Sequence, residues 1–176
     1  VNPKAYDRMF LHNSGANDTF CAADINYDKV AERDLFHFGY PPLMKQVIAN
    51  GGQDLVEIFQ RVHGLGLTTS LDMCLPDVFN DTTDWPVIFK GLCPHLDLYM
   101  GSAEETLFML HRDRYMELRN ASDRDLLDEF TGDMLHDLAG ELLGMGVRIA
   151  VIKCGPRGYY VRTADAATIE TMGRAK

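Results

Sequence analysis

Ser102-Ala103-Glu104-Glu105 places a hydroxyl three residues before a carboxylate. As local structure this spacing is a capping box, in which Ser102 caps a helix and Glu105 reaches back to the cap's own N–H. As chemistry, it sets Ser102 near a phosphate at the positive end of a helix, with Glu105 serving magnesium through water. Lys153-Cys154-Gly155-Pro156-Arg157-Gly158 is the second such segment. It reads as a β-turn with Pro156 at its second position and Gly158 closing it. It reads equally as a nest of backbone amides for a nucleotide phosphate, with Lys153 as counter-charge. A lysine ending a buried parallel strand is costly to place without an anionic partner. Asp72 either caps a turn or contacts substrate or metal-bound water. Asn17 and Tyr40 lie in turns, where their residue types are common.

The elements that must position these groups follow from the apolar pattern. Tyr6 to His12 reads as a strand before the turn-rich residues 13–18. Leu35 to Gly39 is a second strand, stopped at Tyr40-Pro41-Pro42. From about Gln53 to His63, Leu55, Ile58, Phe59 and Val62 share one helical face, and Gly64 and Gly66 stop the helix. Leu67 to Asp72 is a strand, Trp85 to Cys93 a helix, and Asp97 to Met100 a short strand feeding a helix over 102–112. The charged stretch from Arg112 to Asp128 reads as a solvated loop and helix face. Met134, Leu135, Leu138, Leu142 and Leu143 mark an amphipathic helix. Val147 to Lys153 is a strand with a hairpin partner from Tyr159 to Arg162.

Strands alternating with helices predict right-handed crossovers and a largely parallel α/β sheet. Ligands in such sheets gather beyond the strands' C-terminal ends. That rule singles out Gly39-Tyr40, Asp72, Gly101-Ser102 and Lys153-Cys154-Gly155. His37, mid-strand among phenylalanines, is expected to be a satisfied core histidine, and Trp85 to pack a helix onto the sheet.

Composition narrows the function classes. The chain has 176 residues, with Lys+Arg 17 against Asp+Glu 26 for a formal net charge of −9, and 46% hydrophobic residues. This suits one domain with a real core, treated as a single unit over 1–176. No basic patch invites nucleic acid. No apolar run approaches the ~20 residues that span a bilayer, and no signal pattern opens the sequence. Cys21, Cys74, Cys93 and Cys154 lack metal-ligand spacing and read as buried thiols of a cytoplasmic protein. No G-x-S-x-G elbow, Walker A loop or H-E-x-x-H motif occurs.

Taken in order, residues 35–42, 69–72, 97–105 and 151–158 resemble the ribokinase-like (PfkB-type) carbohydrate kinases. The resemblance implies a three-layer sandwich around a mostly parallel sheet, incomplete here, plus part of a small β-lid at about residues 6–20. It implies an ATP-dependent sugar kinase that passes the γ-phosphoryl group to a carbohydrate hydroxyl. ATP and Mg2+ would be the cofactors, and the partner a small sugar or nucleoside. Glu105 matches the acid of the family's N-x-x-E motif, which organises magnesium, and Ser102 stands at its Asn. Lys153 falls where many members have Thr, beside Gly155 and Gly158 near the phosphates. Asn17, Tyr40 and Asp72 fall in substrate-facing regions. Lid strands in this family often pair between subunits, so a homodimer through the lid is expected.

The family's N-terminal Asp and Gly-Gly pair, and its G-A-G-D box carrying the general base, have no counterpart, since no Gly-x-Gly-Asp occurs. The resemblance therefore implies an internal fragment, inactive alone, whose catalytic Asp lies outside it. Two other readings stay open: a non-catalytic nucleotide- or sugar-binding descendant, and another doubly wound enzyme such as a methyltransferase or dehydrogenase. A nucleoside kinase of the same family is a variant of the first reading.

Overall fold

The structure is a computed structural model that describes residues 12–122 and 125–175. The strand expected from Tyr6 to His12, apart from His12 itself, and with it the first part of the lid expected at about residues 6–20, lies outside the described residues. Within them, residues 15–18 form a 3-10 turn.

Twelve regular elements follow. They are α1 Tyr27–Ala31, β1 Leu35–Gly39, α2 Lys45–Gly64, β2 Thr68–Asp72, α3 Trp85–Leu92, β3 Leu98–Ser102, α4 Ala103–Leu110, α5 Arg112–Ala121, α6 Gly132–Gly144, β4 Ile149–Lys153, β5 Tyr159–Thr163 and α7 Ala166–Ile169. The five strands form one α/β sheet in sequence order, β1-β2-β3-β4-β5. The first four pair in parallel and β5 closes as an antiparallel hairpin on β4.

Sequential order has a geometric consequence. Right-handed crossovers that all step the same way lay their helices on the same face. That face carries Phe38, Leu71, Tyr99, Ala150 and Ile152, packed in one core with Leu55, Ile58 and Phe59 of α2, Ile88 and Phe89 of α3, Leu107 of α4 and Leu138 and Leu142 of α6. The opposite face shows Leu35 at 46%, Val161 at 56% and Tyr159 at 72% exposure. Two of the three expected layers are thus present among the described residues. His37 belongs to the open face, exposed, and shares a 3.1 Å hydrogen bond with Ser70. It is not a core histidine, because strand alternation turns it away from its phenylalanine neighbours.

Other expectations shift for local reasons. The long helix α2 is broken at Ala49–Gly52, where Asn50, Gly51 and Gly52 take positive φ. At Gly52 a Cβ would sit 2.8 Å from Ile88 Cγ1. Gly64 stays within α2, so Gly66, at φ 78, is the actual stop. The stretch after Arg112 is a true helix, α5, because Tyr115 is fully buried against Phe108. Cys93 and Cys154 are buried as expected, but Cys21 and Cys74 are only half-buried. All four are free thiols. Among the described residues no helix is long and apolar enough to cross a membrane.

The C-terminal residues cross the sheet's lower end. Arg174 donates to the carbonyls of Ala31 and Leu65, at the ends of α1 and α2. Ala175 and the Thr68 hydroxyl exchange two hydrogen bonds of 2.9 and 3.0 Å.

Tyr99 locks β3 to the helix that follows it. Its buried phenol lies under Gly101 and shares a 3.1 Å hydrogen bond with Thr106, which donates to Ser102 O. A Cβ at position 101 would overlap the phenol oxygen and stand 2.7 Å from Cζ. Gly101→Ala is therefore expected to cost about 1–3 kcal/mol, read as a melting temperature lower by roughly 3–10 °C. An unchanged melting temperature would contradict this packing.

Candidate functional site

Parallel pairing brings four strand ends to one rim. Gly39 is level with Asp72, Asp72 with Met100, and Ser102 with Lys153. Asp72, Ser102 and Lys153 all project on the open face, since side chains alternate along each strand. Lys153 reaches diagonally over β3 and donates from Nζ to Asp72 Oδ1 at 2.5 Å. Its side chain is 33% exposed and that of Asp72 22%. The anionic partner that a rim lysine requires is thus the protein's own aspartate.

Glu105 joins the pair from α4. Ser102 N donates to Glu105 Oε2 at 2.6 Å, and Glu105 N donates to Ser102 Oγ at 3.1 Å. The capping box is formed, and it holds the carboxylate within electrostatic reach of Lys153. Burial raises the Glu105 pKa, against the Ser102 amide and the Lys153 charge, which lower it. Burial acts to lower the Lys153 pKa, but the Asp72 hydrogen bond and the charges of Glu105 and Asp72 outweigh it, so it is raised. The half-buried Cys74 thiol is pushed up to about 12 by burial and by the same two carboxylates. A shift in that direction favours the protonated thiol over the thiolate.

Tyr40 stands at the same rim. Its amide donates to Asp72 O at 3.0 Å, its φ is 61°, and its ring is 48% exposed. Gly155 and Gly158 bracket the turn after Lys153. In that turn Cys154 N donates to Gly158 O, Arg157 N to Cys154 O and Gly158 N to Gly155 O. Three of the amides that a phosphate nest would offer are therefore already donated within the turn. The Arg157 guanidinium is turned onto the carbonyls of Phe130 and Leu127, each at 2.9 Å. Asn17 sits apart, exposed in the turn at 15–18, with no described contact to the rim residues.

A second anchor escaped the sequence reading. Asp81, in the loop from β2 to α3, accepts from Trp85 Nε1 at 2.9 Å and from Arg112 at 2.6 Å. It fastens that rim loop to α5, with Trp85 buried beneath. The sequence signal was the lone tryptophan near an acid, while the arginine 31 positions away gave none.

Magnesium takes hard oxygen donors. Among the described residues no three His, Cys, Asp or Glu side chains converge as a metal site. Magnesium, however, is commonly held by one or two carboxylates with phosphate oxygens and water. Asp72 and Glu105 fit that second arrangement.

No protein-family model and no curated protein matches the chain. Among solved structures it is similar to Sa239, with TM-score 0.59 and 17% identity over 93% of this chain and 44% of that one. It is also similar to an apo putative ribokinase II from E. coli, with TM-score 0.49 and 17% identity over 82% of this chain and 39% of that one. A fructokinase from Xylella fastidiosa with bound ATP gives TM-score 0.48 and 15% identity over 82% and 40%. The first overlay shows a shared fold and nothing finer; the other two are looser. The chain spans less than half the length of each.

The raised Glu105 pKa has a testable sign. An acid whose folded pKa lies above its unfolded value destabilises the fold above that range, and the cost fades as pH falls toward 4.5. Glu105→Gln keeps the capping box and removes the charge. It should melt higher than wild type at pH 7.5, with the gap closing by pH 4.5. A variant less stable than wild type at pH 7.5 would contradict the stated cause.

Proposed function

We propose that the rim of this sheet is a nucleotide phosphate site, and that the chain is part of an ATP-dependent kinase acting on a hydroxyl of a sugar or nucleoside. The observation that carries this reading is the meeting of Lys153, Asp72 and Glu105 at the C-terminal ends of parallel strands, beside the N-terminus of α4. Strand ends are where such folds bind ligands. A lysine and an oriented helix start suit phosphate, and two neighbouring carboxylates suit its magnesium.

Each residue then has a role. Lys153 balances phosphate charge as a point cation. Ser102 orients α4 and, through the capping box, Glu105. Glu105 and Asp72 would hold magnesium, which when bound neutralises charge on the transferring phosphoryl group. Gly155 and Gly158 let the backbone turn tightly beside Lys153. Tyr40 offers an exposed ring at the same rim to the acceptor. Asn17, apart from this group, retains a role only if the acceptor reaches it.

Binding decides the matter before turnover does. The chain is expected to bind ATP with magnesium in preference to NAD or S-adenosylmethionine, measured by calorimetry. Lys153→Ala should weaken ATP at least about tenfold, the worth of one charge-assisted hydrogen bond. Equal binding of NAD or S-adenosylmethionine, or an unchanged ATP affinity in the variant, would sink the reading.

A further inference from the structure

Among the described residues, the cation closest to the rim carboxylates is held in a closed state. Lys153 Nζ is spent on Asp72 Oδ1 at 2.5 Å, and Glu105 stands within electrostatic reach of the pair with Oε2 committed to the Ser102 amide. Two carboxylates against one ammonium leave a formal charge of −1. Among the described residues the nearby guanidiniums are engaged elsewhere, Arg157 on the carbonyls of Phe130 and Leu127 and Arg112 on Asp81.

Consider what each kind of ion meets on arrival. A phosphate that takes Lys153 by itself leaves the Asp72 carboxylate unpaired beside Glu105. A metal ion that takes Asp72 by itself leaves the half-buried Lys153 ammonium without its hydrogen-bonded partner, with only Glu105, itself tied to the Ser102 amide, in electrostatic reach. A charge stripped of its hydrogen-bonded partner in a partly desolvated site is costly in both cases. When the two arrive together, every charge keeps an opposite neighbour.

We propose that the Asp72–Lys153 pair is a closed ion pair that a polyphosphate and a magnesium ion open jointly by exchanging partners, a phosphate oxygen taking Lys153 and the cation taking Asp72. This rests on the phosphate reading of the rim and deepens it. The pair becomes a discriminator that answers to the metal complex and rejects either component by itself. Asp72 is thereby assigned to the ions and not to the acceptor alcohol.

The test uses inorganic tripolyphosphate, so that no base or sugar contributes. Calorimetry at pH 8 compares MgCl2 alone, tripolyphosphate with EDTA, and the two together. Wild type should bind the magnesium complex at least about tenfold more tightly than metal-free tripolyphosphate. Asp72→Asn, which frees the lysine, should bind metal-free tripolyphosphate about tenfold more tightly than wild type. Lys153→Met, which frees the aspartate, should bind Mg2+ alone more tightly by a similar factor.

Melting curves establish that each variant folds, and either folded variant decides the matter without the other. Equal affinity of wild type for tripolyphosphate with and without metal, or a folded variant with no gain, overturns the exchange. Gains in both variants without any preference of wild type for ATP over NAD would sink the nucleotide reading and leave the exchange standing. ATP binding without a gain in either variant would do the reverse.

Discussion

Parallel pairing of β3 with β4 sets Ser102 level with Lys153, and the rim depends on that one register. A slip of a single residue would turn Lys153 to the helical face and carry it away from Asp72. The register is held from both sides. Tyr99, fully buried on β3, ties the strand to the first turn of α4 through Thr106. On β4, Ala150 and Ile152 are fully buried in the core. Hydrophobic packing on one face of the sheet thus fixes the positions of charges on the other.

Much of the scaffold could be read from residue patterns. The strands expected at 35–39, 67–72 and 147–153 stand at 35–39, 68–72 and 149–153, and the expected face of Leu55, Ile58, Phe59 and Val62 is the buried face of α2. Burial decides such elements locally, so local sequence reports them. Asp72, Ser102, Glu105 and Lys153 could be placed at strand ends from the sequence, but Asn17 lies apart from them and the wiring between them could not be read. Asp72 and Lys153 were singled out separately, yet their bond joins residues 81 positions apart. Nothing in either neighbourhood encodes the partner. The Asp81–Arg112 anchor was hidden for the same reason, and α5 was obscured because its exposed charges outnumber its one buried tyrosine. His37 misled through its phenylalanine neighbours, which face the core while it faces away.

The capping box at Ser102-Ala103-Glu104-Glu105 is formed, and it leaves the proposed chemistry of Glu105 open. The cap uses Glu105 Oε2 and in doing so fixes the carboxylate within electrostatic reach of Lys153. A group whose burial raises its pKa is a poor choice for stability alone. Sites of function regularly carry that kind of cost.

Strand order following sequence order also sets when each contact can form during synthesis. Within the described sheet β1 pairs only with β2, so the β1-α2-β2 unit can close as soon as β2 is made, and each later strand then adds to the one before it. The exception is the clasp at the lower end. The carbonyls of Ala31 and Leu65 wait for Arg174, a partner 143 and 109 residues later in the chain. Until it arrives those helix ends rely on water. Among the described residues, the strands β1 and β2 can thus pair early, while the helix ends beside them are fastened late.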